Sequence, residues 1–555
     1  MSNSTSQKRR IEIYDTTLRD GTQGEGFNLS LQDKIMIAQK LDDLGVDYVE
    51  GGFPGSNEKD RAFFDEVKSL RLKHAKISAF GMTRRRGVKA EDDENLKKLL
   101  AAQTPVITFV GKTSDYQARV VMNVTPEENL AMIGDSVRLM RAAGRQVVYD
   151  AEHFFDTFKS NRDYALATLR AAEEAGASVL CLCDTNGGTM PEQVAEAVEA
   201  VRKQSSVKVG IHTHNDAALA VANALAAIRA GADHAQGTMN GVGERCGNMD
   251  LIPLVANLRL KYGLDCLQAD SLKHLTEASR YVYETANMNL INGQPYVGSS
   301  AFAHKGGMHV QAVQKDVSTY EHVDPEAVGN SRRILISELS GVSNIATKAG
   351  KKFDLENDKT TLKNMLERVK TLENEGYQFE AAEASFELLV RKEIGRYRKF
   401  FELDHYRVIV LKLASSEPIA EATVKVHVDG VVEHRVAEGD GPINSLDAAL
   451  RRALEPHYPA IAQVHLTDYK VRVINSRAET AASVRVIIEC KRDVGGKGAD
   501  GSKEIFGTIG VNTNIIDASW QALVDAYEYH LIHAAEEEQG HTTEQSTPAT
   551  ATTSA

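Results

Sequence analysis

The chain has 555 residues, of which 42% are hydrophobic and 26% charged, and its net charge at pH 7 is −12. This length exceeds what one hydrophobic core usually supports and predicts two or three domains. The acidic balance argues against nucleic acid as a partner, and the sequence has no apolar run long enough for a membrane span. With no secretory signal pattern and only five cysteines, we expect a cytoplasmic protein without a disulfide framework.

Eight short, β-rich apolar runs alternate with amphipathic helical stretches in the first half of the chain. The runs are 11–14, 46–51, 77–81, 106–110, 147–149, 178–184, 207–212 and 234–238. Among the helices, 31–44 follows Ser30, which is a candidate N-cap. Eight strands, each followed by a helix, predict a (β/α)8 TIM barrel of the α/β class. An open doubly wound sheet is the alternative, but it seldom needs eight such units.

Unusual polar residues follow the predicted strands, where the catalytic groups of a barrel lie. They include Arg19, Asp20, Glu50, Glu152, Thr185, His212, His214 and Asn248. Two histidines two residues apart on a strand share a face, and with one carboxylate they suit a divalent ion. The alternative for the histidines is two ordinary polar groups at a strand end. For Arg19 and Asp20 it is a salt bridge at a turn.

The second half of the chain changes character twice. Residues 266–404 read as mostly helical, with one dense polar stretch that contains His309 and Tyr320. Residues 405–533 contain alternating strand patterns and two helices, which predict an α+β domain built from a duplicated strand-strand-strand-helix unit. We therefore divide the chain into a barrel at 1–265, a helical linker region at 266–404, this α+β domain at 405–533 and a disordered tail at 534–555.

Three motifs together resemble a known family. They are Asp15-Thr-Thr-Leu-Arg-Asp-Gly-Thr-Gln, His212-Thr-His-Asn-Asp and Gly241-Val-Gly-Glu-Arg-Cys-Gly-Asn. The set resembles the acyl-CoA-dependent 2-oxoacid synthases, which include isopropylmalate, homocitrate and citramalate synthases. Segments 47–60 and 150–156 look most like the citramalate-forming members. The resemblance extends to about residue 530, and it implies that the C-terminal domain is a dimeric allosteric module.

The resemblance implies a divalent metal ion, Mg2+ or Mn2+ with Zn2+ as a further candidate, on Asp20, His212 and His214. Asn248 would be a further ligand or a water-mediated neighbour. One position departs from some members of the family, because Asp150 stands where they carry tyrosine. This departure concerns the pocket wall beside Glu152.

The resemblance also implies roles for residues around the metal. Arg19 would lie beside the substrate oxygen, and Thr185 would bind the oxoacid carboxylate. Glu152 would act as a base or position water. His309 and Tyr320 would be supplied by the helical region, often across a dimer, although on residue type alone each is more often structural.

The implied reaction joins acetyl-CoA and pyruvate and, with water, gives (R)-citramalate and CoA. Citramalate leads to 2-oxobutyrate and isoleucine, so isoleucine is the expected effector of a homodimeric enzyme.

The alternatives keep the barrel but change the function. A larger 2-oxoacid could replace pyruvate, as in isopropylmalate or homocitrate synthase. We expect Phe53, Met82, Phe109 and Phe154 to fill the space that a larger substrate would need, which favours pyruvate. A metal-dependent acyl-CoA lyase is a second alternative, but the Gly-Gly-Cys-Pro loop of the related lyases is absent from the sequence. A catalytically inactive amino-acid sensor is a third, and the intact Arg19, Asp20 and histidine pair argue against it.

Overall fold

The structure is a computed structural model in which the chain forms two compact units. It describes residues 9–268, 270–337, 340–355, 358–414, 417–474, 479, 481–493 and 503–544. The first unit contains the described residues up to Ala303 together with Glu321–Arg332. The second contains His304–Tyr320 and the described residues from Arg333 onward. The polypeptide therefore passes between the units three times.

The first unit is built on a closed barrel of eight parallel strands in sequence order. The strands are β1 (Glu12–Asp15), β2 (Tyr48–Gly52), β3 (Lys76–Met82), β4 (Val106–Lys112), β5 (Gln146–Glu152), β6 (Val179–Asp184), β7 (Lys208–Thr213) and β8 (His234–Gly237). The barrel closes where β1 pairs with β8, with Glu12 opposite His234 and Asp15 opposite Gly237. The predicted fold class and all eight predicted strands are confirmed.

Helices connect these strands and cover the barrel. They are α1 (Leu31–Leu44), α2 (Glu58–Val67), α3 (Glu94–Ala101), α4 (Asp115–Val120), α5 (Pro126–Ala142), α6 (Phe154–Ser160), α7 (Arg162–Glu174), α8 (Pro191–Arg202), α9 (Ala220–Arg229), α10 (Leu251–Leu260) and α11 (Leu275–Thr285). Helix α1 shows the local signals that made its start and end predictable from the sequence. Ser30 and Asp33 form a reciprocal capping box at its start, and Gly45 ends it with a backbone φ of 88°.

Strand residues alternate between two environments. Outward side chains such as Ile13, Val49 and Phe109 belong to the large apolar core of the first unit. Inward side chains of the same strands include Tyr14 and Thr108, whose hydroxyl oxygens lie 2.7 Å apart inside the barrel. This two-residue period decides which side chains can reach the interior of the barrel.

The second unit contains the remaining helices and the antiparallel sheets. Its helices are α12 (Gly307–Lys315), α13 (Val342–Ile345), α14 (Lys351–Phe353), α15 (Lys359–Asn374), α16 (Glu383–Glu393), α17 (Pro442–Leu454) and α18 (Ile515–Glu544). Two short strands, β9 (Ala303–His304) and β10 (Arg333–Ile334), lie where the chain passes between the units. The longer strands are β11 (Phe401–Leu411), β12 (Ile419–Val428), β13 (Val431–Gly439), β14 (Val464–Val473), β15 (Val484–Asp493) and β16 (Lys503–Asn512).

The predicted duplication is present in these elements. Strands β11, β12 and β13 form one antiparallel sheet followed by α17, and β14, β15 and β16 form another followed by α18. Each helix packs against its own sheet. Helix α18 extends to Glu544 and so includes the first residues of the segment predicted as a disordered tail, while 545–555 lie outside the described residues.

Within the described part of the chain, we find no helix that combines the length and apolar character needed to span a membrane.

Candidate active site

Three of the predicted metal ligands converge at the carboxyl end of the barrel. Asp20 follows β1, and His212 and His214 lie at the end of β7. Nε2 of His212 is 3.3 Å from Oδ2 of Asp20 and 3.4 Å from Nε2 of His214. Ligands about 2.1 Å from one ion are separated by roughly 3.0–3.4 Å. The ligand atoms of this buried group all lie within 4.8 Å of one another, and their spacing fits a single divalent ion.

Asn248 is brought to the same place by a glycine-rich loop. It forms an isolated antiparallel bridge with His214, and its amide Nδ2 lies 3.4 Å from the Val242 carbonyl. Its Oδ1 is buried and has no hydrogen-bond partner among the described residues. A buried, unpaired oxygen is costly unless a ligand satisfies it, so Asn248 fits the predicted role of a further ligand or neighbour of the ion.

Glycines make this loop possible. Gly247 has a backbone φ of 89°, and a Cβ there would lie 2.0 Å from the carbonyl oxygen of Gly241. Only glycine meets both conditions without moving the backbone. The loop is also held by Arg245, which bonds both carboxylate oxygens of Asp216 at 2.8 and 2.9 Å.

The charges of the cluster suit a cation. Burial opposes ionisation of Asp20, but the Arg19 guanidinium and the bond to His212 hold the pKa of its carboxyl well below the usual range. Burial and the adjacent His212 lower the pKa of His214 to about 4. For His212, burial lowers the pKa, but the Asp20 carboxylate outweighs it and raises the pKa above the usual value. Asp20 and His214 therefore have the protonation states of ligands at neutral pH, and binding of a cation would compete with protonation of His212.

Arg19 is fixed beside Asp20 by three contacts. Its Nε donates to Oε2 of Glu50 at 2.6 Å, its Nη1 lies 3.5 Å from Oδ1 of Asp20, and its guanidinium carbon sits 3.9 Å from the Phe80 ring centroid. Glu50 is fully buried and also accepts a bond from the Tyr14 hydroxyl at 2.7 Å. The salt bridge considered from sequence is present, but it forms part of a buried network next to the cluster.

Glu152 and Thr185 lie on adjacent strand ends of the same barrel. Oε2 of Glu152 is 2.5 Å from Nζ of Lys112, which ends β4. The Thr185 hydroxyl oxygen accepts a hydrogen bond of 2.9 Å from the backbone N–H of His153, so its own proton is free to be donated to an acidic ligand. His153 has a left-handed φ of 57°, which turns the chain between Glu152 and α6.

His309 and Tyr320 form a pair of their own in the second unit. His309 lies on α12, and its ring stacks on that of Tyr320 with centroids 4.1 Å apart and planes 28° apart. Both side chains are exposed within the chain. The structure thus brings these two predicted residues together with each other, while the other seven predicted site residues belong to the first unit.

For two of the four residues expected to line the substrate space, the prediction is wrong. Phe109 and Phe154 are completely buried in the core of the first unit, because Phe109 lies on the outward face of β4 and Phe154 begins α6. The aromatic residue that does reach Arg19 is Phe80, with Phe53 packed against its edge at 6.0 Å. Phe80 follows the strand period from Ser78, which could have identified it.

Sequence reasoning also missed Gln236. It lies on β8, its Oε1 is 3.0 Å from Nδ1 of His212, and its Nε2 donates to Oδ1 of Asp150 at 2.8 Å. The signal was a polar residue on the inward face near the end of the last strand. Burial and the Glu50 charge raise the pKa of Asp150 to about 7.

A cavity of about 370 Å³ opens beside Asn248. It is lined by the glycine-rich loop 240–248, residues near Gly24 and, from α11 and beyond, Tyr283, Met288 and Ile291. The cavity therefore offers room beside Asn248 for a substrate much larger than a 2-oxoacid.

Three known protein families match successive parts of the chain. The HMGL-like family matches residues 10–282, the homocitrate synthase post-HMGL domain-like family matches 296–377, and the LeuA allosteric (dimerisation) domain matches 380–531. An (R)-citramalate synthase of Geobacter sulfurreducens is 50% identical over 96% of this chain and 99% of its own. One from Aquifex aeolicus is 48% identical over 95% and 99%. A probable 2-isopropylmalate synthase of Methanopyrus kandleri is 32% identical over 86% and 92%.

Proposed function

Because the chain belongs to the (R)-citramalate synthase family, we propose that it is an acyltransferase that condenses acetyl-CoA with pyruvate and hydrolyses the product to (R)-citramalate and CoA. The observation that carries this proposal is the convergence of Asp20, His212 and His214 beside the fixed guanidinium of Arg19. In such a reaction the acetyl methyl carbon bonds to the keto carbon of pyruvate, and water then cleaves the thioester.

Asp20, His212 and His214 hold a divalent metal ion in this proposal, with Asn248 as a further ligand or neighbour. When bound there, the ion would polarise the keto group of pyruvate. Arg19 supplies fixed positive charge where the keto oxygen becomes an alkoxide. Its bonds to Glu50 and Asp20 set its position before the substrate arrives, so no reorganisation is needed during the reaction.

Thr185 binds the carboxylate of pyruvate. Its oxygen already accepts the His153 N–H, so the hydroxyl proton points away from that bond and can be donated to an oxygen of the substrate.

A base must remove a proton from the acetyl methyl group, and Glu152 and His309 are the two candidates. The Glu152 carboxylate lies at the rim of the barrel and is held by Lys112. His309, stacked on Tyr320, is the candidate for positioning the water that cleaves the thioester. In this proposal the second unit, or that of a partner subunit, supplies the pair.

The C-terminal part of the second unit regulates the enzyme in this proposal. Residues 1–265 form the catalytic barrel, 266–404 complete the active site, and 405–533 form a dimerisation domain that binds an amino-acid effector, isoleucine. The match of residues 380–531 to the LeuA allosteric (dimerisation) domain supports this assignment. The enzyme would act as a homodimer.

The first experiment measures CoA release from acetyl-CoA with Mn2+ or Mg2+ and compares pyruvate, 2-oxobutyrate, 2-oxoisovalerate and 2-oxoglutarate. We expect a metal-dependent reaction with a strong preference for pyruvate, and inhibition by isoleucine. Preference for 2-oxoisovalerate or 2-oxoglutarate would replace the proposed substrate, and no CoA release with any acceptor would refute the condensing activity.

A further inference from the structure

A buried hydrogen-bonded chain stands behind His212 on the side away from the proposed ion. We propose that Gln236 and Asp150 are positioning residues that fix which nitrogen of His212 is available to the metal. This inference rests on the proposed metal centre and adds two residues to it. Neither residue belongs to the three-residue ligand cluster itself.

Strand register sets up the chain of contacts. His212 on β7 lies directly opposite Gln236 on β8, and Asp150 on β5 reaches Gln236 across the inside of the barrel. The two contacts, 3.0 Å from Nδ1 of His212 to Oε1 of Gln236 and 2.8 Å from Nε2 of Gln236 to Oδ1 of Asp150, join side chains that are all buried. In this dry setting each polar atom needs its partner.

The direction of these bonds follows from the chemistry of each group. A side-chain amide can face either way, and a carboxyl oxygen can accept its N–H whether or not the other oxygen carries a proton. Nε2 of Gln236 donates to Oδ1 of Asp150, and this bond turns Oε1 toward His212. Because this oxygen can only accept a hydrogen bond, a neutral His212 imidazole must carry its proton on Nδ1. The lone pair is then on Nε2, the atom that faces Asp20 and His214.

A separate role for Asp150 as a ligand of its own is disfavoured. Cys181 and Cys183 lie close enough to form a second potential metal group with it. Sγ of Cys183, however, donates to the Cys181 carbonyl at 3.7 Å, and burial raises the pKa of both thiols, that of Cys183 to about 11, which favours neutral thiols here. Gln236 is left as the partner through which Asp150 acts.

The test measures Mn2+ dissociation constants of the full-length protein at neutral pH, together with the absorption spectrum of the Co2+ form, which reports ligand geometry. Gln236→Met removes both bonds at nearly constant volume, and we expect 10–100-fold weaker Mn2+ binding, the usual effect of losing such a partner. Asp150→Asn lets the Gln236 amide face either way, and we expect several-fold weaker binding. Because Asp150 acts through Gln236, adding Asp150→Asn to Gln236→Met should cause no further loss.

The exchange variant combines Asp150→Asn with Gln236→Glu. It tests whether the hydrogen bonds to His212, rather than the packing of these side chains, determine metal affinity. Its carboxylate, now on β8, still accepts from Nδ1 of His212, and its amide, now on β5, donates to that carboxylate. We therefore expect Mn2+ affinity within about threefold of the wild type. Asp42→Asn is the matched control, since Asp42 and Asp150 are both 3% exposed and Asp42 accepts bonds from backbone N–H groups on the outside of the barrel.

Equal Mn2+ affinity in the wild type and Gln236→Met, or an exchange variant as weak as Gln236→Met, would overturn the inference. If Gln236→Met does not fold, the comparison of Asp150→Asn with the exchange variant decides. A wild-type protein that binds neither Mn2+ nor Co2+ would overturn the metal centre itself, and the inference with it.

Discussion

Proteins usually bury apolar side chains and expose polar ones. The interior of the barrel and the outer face of the sheet of β11, β12 and β13 depart from this rule in opposite ways. The barrel buries polar side chains, among them Glu50, Asp150 and His212. The sheet of β11, β12 and β13 leaves apolar side chains outside, with Ile409 44% and Leu411 52% exposed. Both choices cost free energy in an isolated chain.

The difference shows what each region is for. Buried polar groups are retained where fixed charges and dipoles are needed, and in the barrel they are bonded to one another in a network around Asp20 and His212. Exposed apolar groups on one face of a sheet are retained where another surface covers them. We therefore expect the barrel to hold a small ligand and the sheet to be covered by a second macromolecular surface.

The largest expected effect comes from removing one of the predicted metal ligands in the barrel. In His212→Ala we expect metal-dependent CoA release to fall by at least about a thousandfold, since one of three protein ligands is lost. Steady-state kinetics across a Mn2+ titration measure this. His465→Ala, an exposed histidine of β14, is the control and should keep its activity. Activity of His212→Ala within tenfold of the wild type would contradict the metal assignment.

The next largest effect is expected for Arg19→Lys, with kcat/KM lower by about a hundredfold. Lysine keeps the charge, but its single ammonium cannot bond Glu50, approach Asp20 and stack on Phe80 at once. Arg84→Lys is the matched control, because Arg84 is likewise little exposed, at 6%, but pairs with Glu128 and Asp135 on the helical side. The prediction fails if both variants lose kcat/KM equally.

The buried carboxyl group of Glu528 tests the cost of burying a polar group in the second unit. Burial raises the pKa of Glu528 to about 7 from 4.5, despite the bond from the Tyr397 hydroxyl. The folded state thus binds a proton that the unfolded state releases, and stability present below pH 4.5 is lost as pH rises toward 7. Glu528→Gln should increase the free energy of unfolding at pH 8 by about 2 kcal/mol and flatten this pH dependence.

Thermal unfolding between pH 5 and pH 8 measures the effect of Glu528→Gln. The exposed Glu402 provides the control, because Glu402→Gln should leave the pH dependence unchanged. Parallel pH profiles of the wild type and Glu528→Gln would show that the ionisation of Glu528 is not coupled to folding.

The smallest effect is expected on the apolar face. If this face is the surface that a second copy covers, Leu411→Ser should weaken dimerisation about tenfold, the consequence of losing roughly 1.4 kcal/mol of apolar burial. Sedimentation equilibrium measures the dimer dissociation constant. Val120→Ser alters a similarly exposed apolar residue of the first unit and should have no effect on dimerisation. An unchanged constant for Leu411→Ser would assign the face to another partner.

The fold was predictable because its signals are local. Each barrel strand is a short apolar run, and each is followed by a helix with its own start and end signals, such as Ser30 and Gly45 at the two ends of α1. The duplication was visible because β11–α17 and β14–α18 repeat the same order of elements. The end of α18 was placed too early, because a polar composition does not exclude the continuation of an existing helix.

The site was predictable only in part. His212 and His214 were found because their spacing places them on one face of a strand, and Asp20 because it follows another strand end. Phe109 was misassigned because residue type was weighed over strand period. Gln236 was missed because its contacts join a neighbour on β7 and a partner on β5, which are brought together only by closure of the barrel.

The order in which the chain enters its two units has a consequence for synthesis. The segment Glu321–Arg332 returns to the first unit after His304–Tyr320 has joined the second, and it is fastened there by bonds from Thr276 to the Val328 carbonyl at 2.7 Å and from Asn330 to the Tyr296 carbonyl at 2.9 Å. The first unit therefore cannot complete its fold during synthesis until residue 332 has left the ribosome. By then part of the second unit has also emerged. Neither unit can be cut out as one continuous fragment.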